Sequence, residues 1–135
     1  MYDALRATLR FKPDRVVMGE VRGAEAYTLL KAWNTGHPGG LATIHANGVE
    51  SAMTRFESCV KDHPNVKVNR QELGFTINGI ISIQNITVRL EENGKYVNAV
   101  KRRVTGLRHI HQYDPEKDVY QDTIYDKVQE WLGGD

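Results

Sequence analysis

The chain has 135 residues, 40% of them hydrophobic and 26% charged, which suits one domain with a modest core and excludes a disordered polypeptide. Its 18 basic and 17 acidic side chains leave a formal charge of +1, so no global field draws nucleic acid or anionic membrane, and any such contact must be local. One cysteine, Cys59, excludes an internal disulfide and a cysteine zinc cluster, which fits a reducing cytosol, and no apolar run approaches the roughly 18 residues that cross a bilayer.

Tyr2 to Phe11 carries Leu5 and Leu9 at helical spacing and stops at Lys12-Pro13, because proline pushes its predecessor out of the helical region. Arg15 to Glu20 is a short apolar, β-branched run and predicts a buried strand. Ala24 to Asn34 predicts a helix closed by Gly36, and Leu41 to Ile44 a second strand. Asn47 with Glu50 three residues on resembles a capping box, opening a helix that carries Met53, Phe56 and Val60. A further helix is predicted from about Arg70 to Ile80, capped by Asn69.

After His63-Pro64-Asn65 the texture turns strand-like. Ile81 to Leu90 alternates, Asn93-Gly94 signals a hairpin into Tyr96 to Val104, and Asp114 to Asp118 predicts a turn between Leu107 to Tyr113 and Val119 to Tyr125. Lys127 to Asp135 reads as a short helix fraying into glycines. The fold class is therefore α/β: a parallel sheet with helices over residues 1–90, then an antiparallel β meander over 91–135 as an extension of the same domain.

In a parallel sheet, ligands bind beyond the carboxyl ends of the strands, where Glu20 and His45 both fall. A carboxylate fixed there can orient or deprotonate a water attacking a phosphoryl group, and can hold the water shell of a metal. A histidine there can donate to a terminal phosphate or to the attacking water. Taken singly, Glu20 is as well explained by capping the next helix or pairing with Arg22, and the approach Thr35-Gly36-His37-Pro38-Gly39-Gly40 by turn geometry. His37, beside proline, is the weaker of the two histidines.

Together these residues resemble the secretion ATPase superfamily of type II and type IV secretion, conjugation and pilus motors. Arg15-Val16-Val17-Met18-Gly19-Glu20-Val21-Arg22-Gly23 is similar to its atypical Walker B, and Thr35 to Asn47, TGHPGGLATIHAN, to its histidine box. The variant with Lys31-Ala32-Trp33-Asn34 before that box most resembles the Trb-type conjugal-transfer ATPases. The likeness is close from Leu5 to Ser51 and looser to about Val88.

The resemblance implies a RecA-like P-loop NTPase domain, a hexameric ring, ATP and magnesium, and a cytoplasmic place at the inner membrane reached through secretion or conjugation partners. Glu20 then becomes the catalytic residue, linked to magnesium through water, and His45 the histidine-box residue. Gly19, Arg22 and Thr43 become nucleotide-side supports.

That family also has a phosphate-binding loop, an acidic box and an N-terminal domain upstream of what is position 1 here, and no GxxxxGK followed by Ser or Thr occurs in this sequence. The expectation is a shortened C-terminal part, inactive alone, that binds neither ATP nor magnesium by itself and self-associates or domain-swaps through the edge from Val16 to Gly19. The main rival is a non-catalytic oligomerisation or interaction fragment. A nucleic-acid module on Lys101-Arg102-Arg103 with Arg108 and His109 ranks lower, since such a run on a hairpin is usually a solvated face, and no direct nucleic-acid contact is expected. A metal site on His109 and His111 lacks a third ligand.

Overall fold

In the computed structural model, which describes residues 2–125, helix α1 (Tyr2–Leu9) ends ahead of Lys12, whose left-handed φ of 49° and following proline bar further helix. Strands β1 (Val17–Val21) and β2 (Leu41–Ile44) pair in parallel, Val17 against Leu41 and Met18 against Ala42, with helix α2 (Glu25–Asn34) as the crossover. Helices α3 (Val49–Lys61) and α4 (Arg70–Thr76) follow. The second sheet is antiparallel in the order β3 (Gly79–Glu92), β4 (Lys95–Asp114), β5 (Val119–Tyr125). The architecture is thus mixed α/β, with a two-stranded parallel and a three-stranded antiparallel sheet.

Helical spacing places Leu29 and Leu30 of α2, Met53, Cys59 and Val60 of α3, and Leu73 of α4 on facing stripes, and all are buried with Val16, Met18 and Val21 of the β1 segment and Ile110 of β4. Each such aliphatic side chain contributes about 1.5–3 kcal/mol by leaving water. Trp33 stacks on Phe56 with ring centroids 6.5 Å apart, joining α2 to α3. The opposite face of the parallel pair is bare, with Val17 70% and Leu41 68% exposed.

Three sequence expectations are corrected. Helix α4 ends at Thr76 instead of near Ile80, because Ile77 turns extended and Gly79, Ile80 and Ile81 join the ladder to His109, Arg108 and Leu107. The β-branched run finds a strand partner, and tertiary pairing overrides the helical pattern. The cap of α3 is Gly48 in place of Asn47, which instead donates its backbone N–H to Ser51 Oγ. The two strands expected from Tyr96 to Tyr113 are one continuous strand, bent by bulges at Thr105 and His111, where the register with β3 and then β5 slips by a residue. The helix expected from Lys127 lies outside the described residues.

Candidate functional site

β1 and β2 run side by side and end together, and that shared end sets the site. A register irregularity between Met18 and Val21 breaks strict alternation, so Val21 is buried while the Glu20 side chain stays 23% exposed at the rim. The Arg22 guanidinium bonds Glu20 Oε2, and His45 Nε2, just past β2, lies 3.4 Å from Glu20 Oε1. The Arg22 hydrogen bond, opposed by slight burial and helped by the charges of Arg22 and His45, holds the Glu20 carboxyl below the ordinary carboxylate range. Its hydrogen bond to Glu20 in turn raises Arg22. Glu20 is therefore a fixed, ionised carboxylate, whereas His45 is almost fully open to solvent.

The turn after Glu20 is tied to α2. Backbone N–H groups of Arg22 and Gly23 donate to Glu25 Oε1 at 2.8 and 3.2 Å, which keeps that carboxyl low against the penalty of its burial. Across the strands, Thr43 Oγ1 donates to the Gly19 carbonyl oxygen, and among the described residues nothing beyond its chain neighbours lies within 4 Å of where a Cβ on Gly19 would stand. Glu20, Arg22, His45, Gly19 and Thr43 thus form one contiguous group with open space above it.

His37 is not bonded to that group, and its Nδ1 is buried without a partner among the described residues. The glycines before β2 serve backbone geometry: Gly36 and Gly39 have φ of 118° and 73°, and a Cβ on Gly40 would stand 1.9 Å from Trp33 Nε1 and 2.5 Å from the Val16 carbonyl. That close approach lets Trp33 donate to Val16 O at 3.3 Å and Leu41 N–H donate to the same oxygen at 3.2 Å, which aligns β2 beside β1.

Among the described residues no three of His, Cys, Asp and Glu converge as a metal cage. A magnesium ion that keeps its waters and binds substrate phosphates needs only one or two carboxylates, so Glu20 fits the metal side of such a site. The phosphate side does not fit equally: Arg22 is engaged by Glu20, and the sequence carries no lysine-bearing phosphate loop. His109 and His111 lie with ring centroids 4.4 Å apart, and His111 Nε2 bonds Thr123 Oγ1, with no third ligand beside them among the described residues.

Sequence reasoning missed a polar cluster away from Glu20. Glu57, 5% exposed, accepts from Arg70 Nε and Nη2 at 3.2 Å each and from Tyr120 Oη at 2.9 Å. Arg70 also reaches Asp118 at 2.7 Å, and Tyr113 donates to Asp118. Burial and the Glu57 bond push the Tyr120 hydroxyl well above its ordinary range. This clasp joins α3, α4 and the β4–β5 hairpin, and its signal was an acidic residue at a core-facing helical position between Phe56 and Val60.

A family model described as type II/IV secretion system protein matches residues 1–128. The conjugal transfer protein TrbB of Rhizobium radiobacter is 39% identical over 126 residues, which cover 93% of this chain and 34% of that protein. The type IV secretion system protein PtlH of Bordetella pertussis is 39% identical over 66 residues, 49% of this chain and 20% of its own length. The crystal structure of the VirB11 ATPase from the Brucella suis type IV secretion system, in complex with sulphate, superposes with a TM-score of 0.58 at 23% identity, over 76% of this chain and 30% of that one. The chain thus shares part of that fold and spans about a third of the TrbB relative it matches.

Proposed function

The chain belongs to the type II/IV secretion system protein family, and from that premise we propose that it is the C-terminal, motif-bearing part of a RecA-like ATPase whose hydrolysis of ATP drives conjugal or type IV transfer of DNA or protein. The observation that carries this reading is the approach of Glu20 and His45 to 3.4 Å at the adjoining ends of two parallel strands, where α/β folds bind ligands. Glu20 would take the proton of the attacking water or orient it, and would hold a hydrated metal; His45 would contact the terminal phosphate or that same water. Gly19 leaves room for the nucleotide, Thr43 fixes the Gly19 carbonyl, and Arg22 keeps Glu20 ionised. Magnesium with ATP supplies charge neutralisation at the transferred phosphoryl group.

The phosphate-binding loop is not among these residues, so the chain by itself is an incomplete site and inactive. Residues 1–90 hold both motifs and 91–135 are proposed as an extension of the same domain, a reading supported by β3, which crosses that division as far as Glu92. The assembly is a homo-oligomer, a hexamer in the whole protein, with the bare Val17 and Leu41 face available to a second copy of this chain. It works at the cytoplasmic side of the inner membrane through secretion or conjugation partners; no described helix is long and apolar enough to cross a bilayer.

Equilibrium binding of a fluorescent ATP analogue with magnesium tests the incomplete-site reading. The chain and its Glu20→Gln variant should both show no binding that unlabelled ATP competes away. Competable micromolar binding would mean that another segment replaces the phosphate loop.

A further inference from the structure

Beyond the β5 pairing, β3 and β4 continue as a two-stranded ribbon from the Ile83–Val104 pair to the turn at Asn93-Gly94, and none of its residues is buried. Ten pairs at about 3.4 Å rise make an arm roughly 30 Å long. Because paired residues share a face, the ribbon is two-sided. Both sides are mixed: one carries Ile86, Val88, Leu90 and Val97 with Lys95, Lys101 and Arg103, and the other carries Asn85, Arg89, Asn98 and Arg102 with the exposed Ile83, Val100 and Val104.

The charge is local and uncompensated. The ribbon holds five cationic side chains against two acidic ones, Glu91 and Glu92, in a chain whose total is only +1. Lys101, Arg102 and Arg103 face Ile86, Asn85 and Gln84 across the ladder, and none has an acidic partner among the described residues. Arg89 lies over the Tyr96 ring at 4.6 Å, a cation–π contact on the side that also carries Asn85, Asn98 and Arg102.

We propose that this arm is a nucleic-acid-binding element that takes duplex DNA. A two-stranded β-ribbon fits the major groove, arginines and amides are the side chains that meet base edges there, and clustered cations neutralise phosphates. The side shared by Asn85, Arg89, Asn98 and Arg102 supplies the arginines and amides, while Lys101 and Arg103 stand on the other side, where they would meet the phosphate backbone. An anionic membrane is the weaker fit, because the side with Arg89 and Arg102 carries the Asn85 and Asn98 amides, which lipid would leave unused. The inference is independent of the ATPase reading.

The test is fluorescence anisotropy of a labelled duplex titrated with the full chain over a range of salt, with phosphatidylglycerol vesicles in a parallel assay. With about four phosphate contacts, affinity should fall roughly 100-fold between about 50 and 200 mM salt. A Lys101→Gln/Arg102→Gln/Arg103→Gln variant should lose most binding and about three units of the salt slope, whereas Arg10→Gln/Lys12→Gln should bind like the parent. Circular dichroism checks the fold, and Arg102→Gln alone replaces the triple variant should that fail to fold. No duplex binding at low salt, equal loss in both variants, or binding to vesicles without binding to DNA would each overturn the proposal.

Discussion

Glu20 Oε1 and His45 Nε2 lie 3.4 Å apart although a crossover helix and a glycine-rich turn separate the two residues in sequence. Parallel pairing of β1 and β2, whose last printed pair is Val21 with Ile44, brings the two residues to one sheet end. Arg22 completes the group from the other side of the carboxylate and governs its protonation. Arg22→Ala should therefore raise the Glu20 pKa toward the ordinary glutamate range, measured by carboxyl carbon chemical shifts against pH. An unchanged Glu20 titration would show that Arg22 does not control it.

Gly40 is the position where a single methyl group does most harm. Gly40→Ala forces the alanine Cβ into Trp33 Nε1 and the Val16 carbonyl, and should cost about 2–3 kcal/mol from overpacking and the displaced hydrogen bond. Gly19→Ala, facing open space, should change stability by less than about 0.5 kcal/mol. Urea unfolding of both variants measures the contrast, and equal losses would contradict it.

The Glu57 clasp should behave as a unit. Arg70→Ala leaves a buried carboxylate short of its cation and should destabilise by about 2–3 kcal/mol, discounted because Arg70 is partly exposed; Tyr120→Phe should cost about 1 kcal/mol. Adding Glu57→Leu to Arg70→Ala should recover part of the loss, a non-additivity that a double-mutant cycle reads directly.

Acid should weaken the fold. The carboxyls of Glu20, Asp114 and Asp118 are all lowered from ordinary values of 4.5, 3.8 and 3.8, by Arg22, by the Lys117 and Glu116 backbone N–H groups, and by Tyr113 with Arg70. The folded state therefore binds fewer protons than the unfolded one. Their stabilisation is complete above the ordinary values and is lost as pH falls through the lowered ones. Thermal midpoints should be flat from about pH 7 to 5 and fall below about pH 4; a flat profile at lower pH would contradict the assignment.

Much of this was legible in the sequence because it is local. Pro13, the β-branched run to Glu20 and the helical stripe of Leu30 and Trp33 each state their element, and β-α-β alternation then brings Glu20 and His45 to one sheet end. The illegible parts depend on distant partners. Ile77 to Ile80 leaves the helix only because β4 is there to pair with it, and Thr105 and His111 bend a strand that turn chemistry alone would have cut. Glu57 needed Arg70 and Tyr120, remote in sequence, before its place in the core made sense. Lys101 to Arg103 read as a solvated run until the ribbon gave them a shape.

In the proposed ATPase, Glu20 activates water, while the phosphate-binding loop is not among these residues. The direct measurement is phosphate release by a chimera in which this chain replaces the matching part of the Rhizobium radiobacter TrbB relative, with and without Glu20→Gln. The account predicts magnesium-dependent hydrolysis by the parent chimera and a loss of about 100-fold or more in the variant, with ATP binding retained. Equal hydrolysis by the two chimeras would contradict it.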